Sequence, residues 1–294
     1  MTDVRRIDLL DPAEVARLGG IEIVAQGVVE GFLAGIHRSP FRGFSVEFTE
    51  HRAYQPGDEP RYLDWKILAR ADRLFVKQFE EETNLRAMLL VDASRSMAWR
   101  GAPGRLTKRA YADRLAAALA LILLRQRDAT GLITFDEAVR QVIPARVRTG
   151  QWTRLVRGLL DTPDGRGTAA EAALLHLTGL LARRGLVVLV SDLLFDRALA
   201  LTALRYLRHR GHNVIVFHVM DPAEAELAGP PEVRLRDPES AASVVVRPRE
   251  LARAYGETVR REVAAWRSAC RRHGIGYHHV LTDLPFGMAL RLLA

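Results

Sequence analysis

Hydrophobic and polar residues alternate in one pattern before residue 85 of this chain and in another after it. In the later part, strand-like apolar segments are separated by stretches of helical periodicity. The segments that predict strands are AMLLV, TGLITF, AVRQVIPA, GLVVLVSD, NVIVFHVMD and GIGYHHVLTD, and EVRLRDPESAASVVV predicts a hairpin. Helices are predicted at about 106–127, 150–160, 169–183, 196–209 and 248–273. This alternation predicts an α/β fold, a doubly wound and mostly parallel sheet with helices on both faces.

Residues 1–84 have a less regular pattern. Residues 8–36 carry apolar positions in a broken helical rhythm. Phe44, Val46 and Phe48 then alternate with polar residues, which predicts a strand with one buried face, and LFVKQFEEE predicts a second strand. We therefore divide the chain into an N-terminal segment, residues 1–84, and an α/β domain, residues 85–294.

Composition favours an ordinary globular protein. The chain has 294 residues, 48% of them hydrophobic, which is enough for one large or two ordinary domains. Its apolar runs are all shorter than the roughly 18 residues that span a bilayer, and the first residues lack the apolar stretch of a secretory signal. Cys270 is the single cysteine, which excludes intrachain disulfides. These features predict a cytoplasmic protein.

Charge divides the chain at the same place. Residues 1–84 carry 11 basic and 15 acidic side chains, whereas residues 85–294 carry 32 and 20, a net charge of +12. A basic domain keeps nucleic-acid binding open as a hypothesis. The arginines are, however, scattered through the helical stretches and do not form a tract with interleaved aromatic residues, which is equally typical of a solvated surface.

An oxygen-rich cluster follows the first strand of the α/β domain. In LLVDASRSMAWRG, residues 89–101, Asp92, Ser94 and Ser96 stand at two-residue spacing where the apolar run stops. The stretch lacks the G-x-S-x-G of a hydrolase elbow and the glycine-rich turn of a nucleotide site. An aspartyl-phosphate phosphotransferase would need a second aspartate where Ser94 stands. A hard cation such as Mg²⁺, which prefers oxygen ligands, remains.

Further oxygen ligands are expected from other loops at the same edge, because ligands of such sheets bind beyond the carboxyl ends of the strands. Thr168 follows a glycine turn in GRGTAAEAA, and Asp192 follows a buried strand. Each has a structural alternative. Thr168 begins a capping box with Glu171, Ser94 and Ser96 could cap the next helix, and Asp192 could be a turn residue. Hydroxyl and carboxylate groups in three loops at one edge nevertheless favour a metal site.

The pattern Asp92-x-Ser94-x-Ser96, with Thr168 and Asp192, resembles the metal-ion-dependent adhesion site of von Willebrand factor A-type domains, and the resemblance extends over residues 85–294. Upstream, residues 37–82 resemble the signature of a bacterial domain-of-unknown-function family, number fifty-eight. We interpret the signature residues Asp58, Arg61, Asp64 and Trp65 as contacts between the N-terminal segment and the A-type domain.

The resemblance implies a non-catalytic, metal-dependent protein-binding role. Mg²⁺ or Mn²⁺ would be held by Asp92, Ser94, Ser96, Thr168 and Asp192, and a partner protein would supply an Asp or Glu to the ion. The implied partner is a MoxR-type AAA ATPase or its client, for which this chain would act as an adaptor or co-chaperone.

Two other functions stay open: a metal-dependent hydrolase and a nucleic-acid-binding protein. The site loops have no histidine or cysteine close in sequence that would serve as a base. His278 and His279 are neighbours in a predicted strand and therefore point to opposite faces of the sheet, so they cannot share one ion.

Overall fold

The computed structural model describes residues 21, 24–29, 47–54, 65, 67–68, 74–80, 85–165, 167, 171–227, 231–236 and 243–293. The strands are β1 Glu47–Ala53, β2 Phe75–Glu80, β3 Arg86–Asp92, β4 Ala129–Phe135, β5 Val139–Arg146, β6 Leu186–Ser191, β7 Asn213–Met220, β8 Val233–Arg236, β9 Ser243–Val246 and β10 Gly276–Leu281. The helices are α1 Lys108–Arg125, α2 Gln151–Asp161, α3 Glu171–Leu180, α4 Arg197–His209, α5 Pro222–Glu226, α6 Pro248–Arg272 and α7 Phe286–Arg291. A 3₁₀ turn covers Arg95–Ala98.

Six strands form the central sheet in the order β10-β7-β6-β3-β4-β5. All neighbours in it are parallel except β5, which pairs antiparallel with β4 at one edge. Every residue of β6 is buried, as expected for an interior parallel strand covered on both faces. The strands β1 and β2 form an antiparallel pair, and β8 and β9 form another.

The sheet has one buried hydrophobic cluster on each face. Each strand contributes to both clusters because its successive side chains point to opposite sides of the sheet. Leu89 and Val91 of β3 belong to the cluster under α1, α2 and α7. Leu90, between them, belongs to the cluster under α3, α4 and α6. The helices therefore form one layer on each face, which is the doubly wound arrangement that the sequence predicts.

Helix α1 is buried on most of its circumference, which is typical of a helix that lies between two layers. It begins where the Thr107 hydroxyl accepts a hydrogen bond from Ala110 N at 3.0 Å. Helical residues 24–29 contribute Val24, Val28 and Val29 to the same buried cluster as α1. This part of the N-terminal segment thus packs on the α/β domain, while the boundary at residue 84 remains a prediction.

In the described part of residues 85–293, the structure confirms the predicted strands and helices, including the paired strands β8 and β9 of the hairpin. The sequence reasoning missed the 3₁₀ turn and the short helices α5 and α7, which are too short to show a helical period. Of the predicted helix at 8–36, residues 24–29 are helical and most of the others lie outside the described residues. In the part of the chain that the structure describes, none of the helices is both long and apolar enough to cross a membrane.

The candidate residues lie where the strand order reverses: successive strands are added on one side of β3 first and on its other side afterwards. The chain runs from β3 to β4 on one side, and β6 pairs with β3 on the other side. Connections on opposite sides leave a crevice between the carboxyl ends of β3 and β6, which is where ligands bind in open α/β sheets. Asp92 ends β3, and Asp192 directly follows β6.

Candidate metal centre

Asp92, Ser94 and Ser96 form a compact, buried group of oxygen atoms. The Asp92 carboxylate accepts a hydrogen bond from Ser94 N through Oδ1 at 2.8 Å and from Ser191 Oγ through Oδ2 at 2.5 Å. The hydroxyls of Ser94 and Ser96 lie 3.1 Å apart. Ser94 makes no side-chain capping bond to the 3₁₀ turn, and Thr107 caps α1. The alternative in which these serines cap the next helix is therefore wrong.

Asp192 lies in a constrained loop after β6. Its Oδ1 accepts a hydrogen bond from Leu194 N at 3.2 Å, so it does have the turn role considered as an alternative. Leu193 adopts a left-handed backbone conformation with φ 54°, which is unfavourable for a leucine. Its N–H donates to Ser191 Oγ at 2.9 Å, and its side chain is buried. These contacts hold the loop, and Asp192 within it, beside the Asp92 carboxylate.

The loop after α2 approaches the same group. Gly165 N donates to Ala93 O at 2.6 Å, and Arg95 N donates to Gly167 O at 3.2 Å. A Cβ atom at Gly165 would lie 2.9 Å from Ala93 O, so only glycine permits this approach. Thr168 itself lies outside the described residues, and its role as a ligand or as a helix cap stays a prediction.

The pKa of Asp92 reflects its burial and the nearby carboxylate of Asp192. Burial, with the negative charge of Asp192 as the next cause, raises the pKa of Asp92 to about 6. Hydrogen bonds from Ser191 and Ser94 oppose that rise without cancelling it. A divalent cation held at this site would replace the repulsion between the two carboxylates by attraction to a common charge.

Lys108 is a charged residue of the site that the sequence reasoning missed. Its Nζ donates to Asp192 Oδ2 at 2.8 Å and to Glu224 Oε1 at 2.6 Å, and its side chain is only 1% exposed. Burial alone would lower the pKa of Lys108, but the charges of Asp192 and Glu224 raise it above its ordinary value. A positive charge at the first residue of a helix also opposes the helix dipole. The two carboxylates stabilise it there, together with the Trp99 ring, whose centroid lies 5.9 Å from Nζ.

A weak signal for Lys108 exists in the sequence. The chain has 43 lysines and arginines, and only Lys66, Lys77 and Lys108 are lysines. In the sequence, Lys108 is followed closely by the long apolar stretch RLAAALALILL, which predicts a buried helix. Its partners Asp192 and Glu224 are 84 and 116 residues away, and no local pattern indicates which carboxylates it would meet.

His218, in β7, also lies close to the site, although it is distant in sequence from the loops that carry the candidate ligands. The ring packs against that of His279, and Nδ1 lies 2.7 Å from the Tyr277 hydroxyl. Burial, and then the neighbouring His279, lower the pKa of His218 to about 3. The ring is therefore neutral at neutral pH and poorly matched to general acid–base catalysis, which requires a pKa near the working pH.

We expect His218→Gln to make folding less sensitive to acid. The native state keeps the His218 ring neutral, whereas the unfolded chain takes up a proton below about pH 6.5. The contribution of the neutral ring to the free energy of unfolding is therefore complete above about pH 6.5 and is lost as the pH falls toward 3. At about pH 5, about 2 kcal/mol of it has been lost. Urea unfolding at about pH 7.5 and about pH 5, with EDTA throughout, measures the difference between wild type and variant.

His209→Gln is the matched control, because His209 is exposed on α4. This variant should lose as much stability between the two pH values as the wild type does. Equal losses in wild type and His218→Gln would show that His218 is protonated to the same extent in the folded and unfolded states.

The donor set fits a hard cation. Carboxylate and hydroxyl oxygens are the ligands that Mg²⁺ and Mn²⁺ accept, commonly together with waters. Within the described ranges, three or more Asp, Glu, His or Cys side chains nowhere gather as a metal-binding group. An ion at Asp92 and Asp192 would therefore need the serine hydroxyls and water as further ligands. Mg²⁺ accepts such oxygen ligands, whereas zinc sites are built mainly from cysteine and histidine.

Other strand-end and signature residues have separate roles. Asp221, after β7, forms a capping box with Glu224 and accepts a hydrogen bond from Gly101 N at 3.1 Å, so it is a structural residue. Asp58, Arg61 and Asp64 lie outside the described residues. Trp65 is 63% exposed, and its interpretation as a contact with the α/β domain stays a prediction. His278 lies near Phe217 and His279 near His218, which confirms that the two histidines point to opposite faces.

The sequence matches a family described as "Protein of unknown function DUF58" over residues 50–265. The chain belongs to the DUF58 family. This finding confirms the family resemblance stated from the sequence. The DUF58 chain is also 32% identical over 274 residues to uncharacterized proteins of Mycobacterium tuberculosis and Mycobacterium bovis, and each match covers 91% of this chain and 83% of the relative.

A comparison with solved structures gives two matches to the DUF58 protein, of which BatB shows likeness in fold. BatB, a conserved hypothetical protein from Bacteroides thetaiotaomicron, is 16% identical with a TM-score of 0.50, and the match covers 71% of this chain and 96% of BatB. The VWA domain of SpRpn10 is 13% identical with a TM-score of 0.36, and the match covers 47% of this chain and 76% of that domain. The predicted α/β fold class, with a six-stranded and mostly parallel sheet flanked by helices, is confirmed.

Proposed function

We propose that this DUF58 protein is a Mg²⁺-dependent protein-interaction module. The observation that carries the proposal is the buried group of oxygen atoms at the carboxyl ends of β3 and β6, where Asp92, Ser94 and Ser96 lie beside Asp192. When bound there, the ion would supply a coordination position open to a carboxylate oxygen of a partner protein. From the family resemblance, the partner we propose is a MoxR-type AAA ATPase or its client.

The residues of this chain have distinct tasks in the proposal. Asp92 provides negative charge for the ion, and Ser191 and the Ser94 N–H hold the orientation of its carboxylate. Ser94 and Ser96 provide neutral oxygens. Lys108 compensates part of the charge of Asp192, so less negative charge opposes the approach of a partner's carboxylate.

The catalytic alternative has less support. Hydrolysis at a metal centre benefits from a base or acid whose pKa lies near the working pH. His218 is the histidine that interacts electrostatically with Asp192, and its pKa is about 3. Lys108 is held in its charged form by two carboxylates, and Asp92, whose pKa is raised to about 6, is assigned to the ion as a ligand. We therefore propose binding and not catalysis.

A basic groove at the other end of α4 favours a second candidate function, nucleic-acid binding. Its cavity of about 470 Å³ is lined by Thr202, Arg205, Tyr206, Arg208, His209 and His273. This lining contains cationic and hydroxyl groups but no carboxylate, a composition suited to a phosphate group. The metal centre plays no part in this candidate, so the two functions predict different responses to metal and to salt.

The proposed function is tested by measuring binding between the purified DUF58 protein and a MoxR-type ATPase from the same organism. We expect binding in Mg²⁺, at least a tenfold loss with Asp92→Ala, and only a mild response to moderate salt, because a contact at a dehydrated site is weakly screened. An ATPase also uses Mg²⁺ with its nucleotide. Asp92→Ala in constant Mg²⁺ is therefore the decisive comparison, and EDTA is a supporting one.

Nucleic-acid binding would give the opposite result. Affinity for a DNA duplex through the basic groove would fall by orders of magnitude as salt rises and would be the same in wild type and Asp92→Ala. Arg205→Ala is the control for that function, because Arg205 lines the groove. Full binding of the ATPase by Asp92→Ala would contradict the adhesion-site mechanism.

A further inference from the structure

A cavity of about 640 Å³ opens beside the candidate metal centre. It lies between α4, α6 and the ends of β6 and β7, and Asp192 and Lys108 form part of its lining. Its volume is within the range of sites that bind ligands of drug size.

The walls of this cavity are mostly apolar. Phe195 and Trp266 meet edge to face with ring centroids 6.4 Å apart. Val259 and Val263 of α6 add aliphatic surface, and Leu194 lines it while remaining 54% exposed. An exposed leucine beside a concave aromatic surface is typical of a binding site.

The charged groups that line the cavity are paired with one another. Lys108 is bonded to Asp192 and Glu224. Arg197 is bonded to Glu262. Each of these charged groups has a partner of opposite sign, although the three carboxylates outnumber the two cations by one. An anionic occupant would therefore be repelled, and a cationic one would have to compete with Lys108 or Arg197 for a carboxylate oxygen. The complementary occupant is an apolar side chain.

Asp192 belongs to both the cavity and the metal centre, so a group bound in one is close to the other. We propose that the cavity binds a large apolar side chain of the same partner protein whose carboxylate reaches the ion, within a few residues of that carboxylate. This inference rests on the proposed function and adds the partner's recognition element: an acidic residue followed or preceded closely by Phe, Trp, Leu, Ile or Met. The acidic residue gives metal dependence, and the apolar residue gives specificity through burial.

A peptide library displayed on phage tests the proposal without knowledge of the natural partner. Phage are bound to the immobilised full-length protein in Mg²⁺ and are eluted with EDTA. We expect the eluted peptides to share an Asp or Glu with a large apolar residue within about three positions. Synthetic peptides of the enriched sequence should lose at least tenfold in affinity when that apolar residue is changed to alanine.

Variants of the cavity provide the matched comparison. Val259→Trp fills the cavity from α6, whereas Ala264→Trp places the same side chain on an exposed position of that helix. We expect the peptides to bind Ala264→Trp as they bind wild type and to bind Val259→Trp at least tenfold more weakly, with Mg²⁺ binding equal in all three. Leu194→Gln, at an exposed position, gives a second test that does not depend on repacking the interior.

The possible contrary outcomes separate the two proposals. If EDTA-eluted peptides carry a carboxylate but no preferred apolar residue, or bind Val259→Trp with full affinity, the cavity proposal is overturned and the proposed function stands. Should wild type dimerise while Val259→Trp is monomeric, the cavity binds a second copy of this chain and the partner assignment fails. Absence of any Mg²⁺-dependent, EDTA-eluted peptide would overturn both proposals.

Discussion

Changing Asp92 to alanine is expected to abolish Mg²⁺ binding and the stabilisation that accompanies it. At Mg²⁺ concentrations a hundredfold above its dissociation constant, wild type should gain about 2.7 kcal/mol in free energy of unfolding, and Asp92→Ala should gain nothing measurable. The physical reason is that Asp92 and Asp192 are the two carboxylates at the carboxyl edge of β3 and β6, and the former is fully buried. Isothermal titration calorimetry and thermal shift with Mg²⁺ and Mn²⁺ measure the effect.

Two further variants separate loss of the metal site from loss of the fold. Asp92→Asn keeps the shape of the side chain and its hydrogen bond from Ser94 N but removes the charge, so it should fold well and still fail to bind Mg²⁺. Asp136→Asn changes another buried carboxylate, which follows β4 and is bonded to Arg140 and Ala138 N. That control should lose stability but retain its response to Mg²⁺. Equal Mg²⁺ binding by wild type and Asp92→Asn would remove the site from consideration.

Changing Lys108 to methionine is expected to lower the free energy of unfolding by about 3–5 kcal/mol in EDTA, because it leaves buried negative charge without its partner. Asp192 and Glu224 would lose the ammonium that now lies 2.8 and 2.6 Å from their oxygens. Mg²⁺ should restore part of the loss, since an ion near Asp192 supplies positive charge there. Urea unfolding with and without Mg²⁺ measures both effects.

Arg125→Met is the matched control for Lys108→Met. Arg125 is exposed at the last residue of the same helix, where an unpaired surface charge contributes at most about 1 kcal/mol. A double variant, Lys108→Met with Glu224→Gln, should be less destabilised than the sum of the two single variants because the side chains are in contact. A loss below about 1 kcal/mol in Lys108→Met would mean that the buried ion pairs do not stabilise this edge of the sheet.

Sequence reasoning was most successful where the signal is local. The apolar run that ends at Asp92 predicts a buried strand, and the structure has β3 there with Asp92 as its last residue. The two-residue spacing of Asp92, Ser94 and Ser96 predicts that their oxygens are close together, since a short loop has few conformations. The hydroxyls of the two serines lie 3.1 Å apart, as that spacing suggests.

The same reasoning could not identify residues that reach the site from distant positions. Ser191 bonds to Asp92 across 99 residues, and Lys108 bonds to Glu224 across 116. The sequence has no histidine close to the site loops, yet His218 lies near Asp192 because β7 pairs with β6. Its position could not be inferred from sequence distance. Such contacts depend on strand order, and hydrophobic periodicity does not specify strand order.

The sequence by itself determined the fold class, the elements that carry the candidate ligands and the chemistry of those ligands, because periodicity and residue type are local properties. Only the tertiary structure decided which charges share one buried space. It placed a lysine between Asp192 and Glu224, kept His218 neutral, and left an apolar cavity beside Asp192. These features arise because burial makes each charge depend on its neighbours in space, and those neighbours are assembled by the order in which six strands pair.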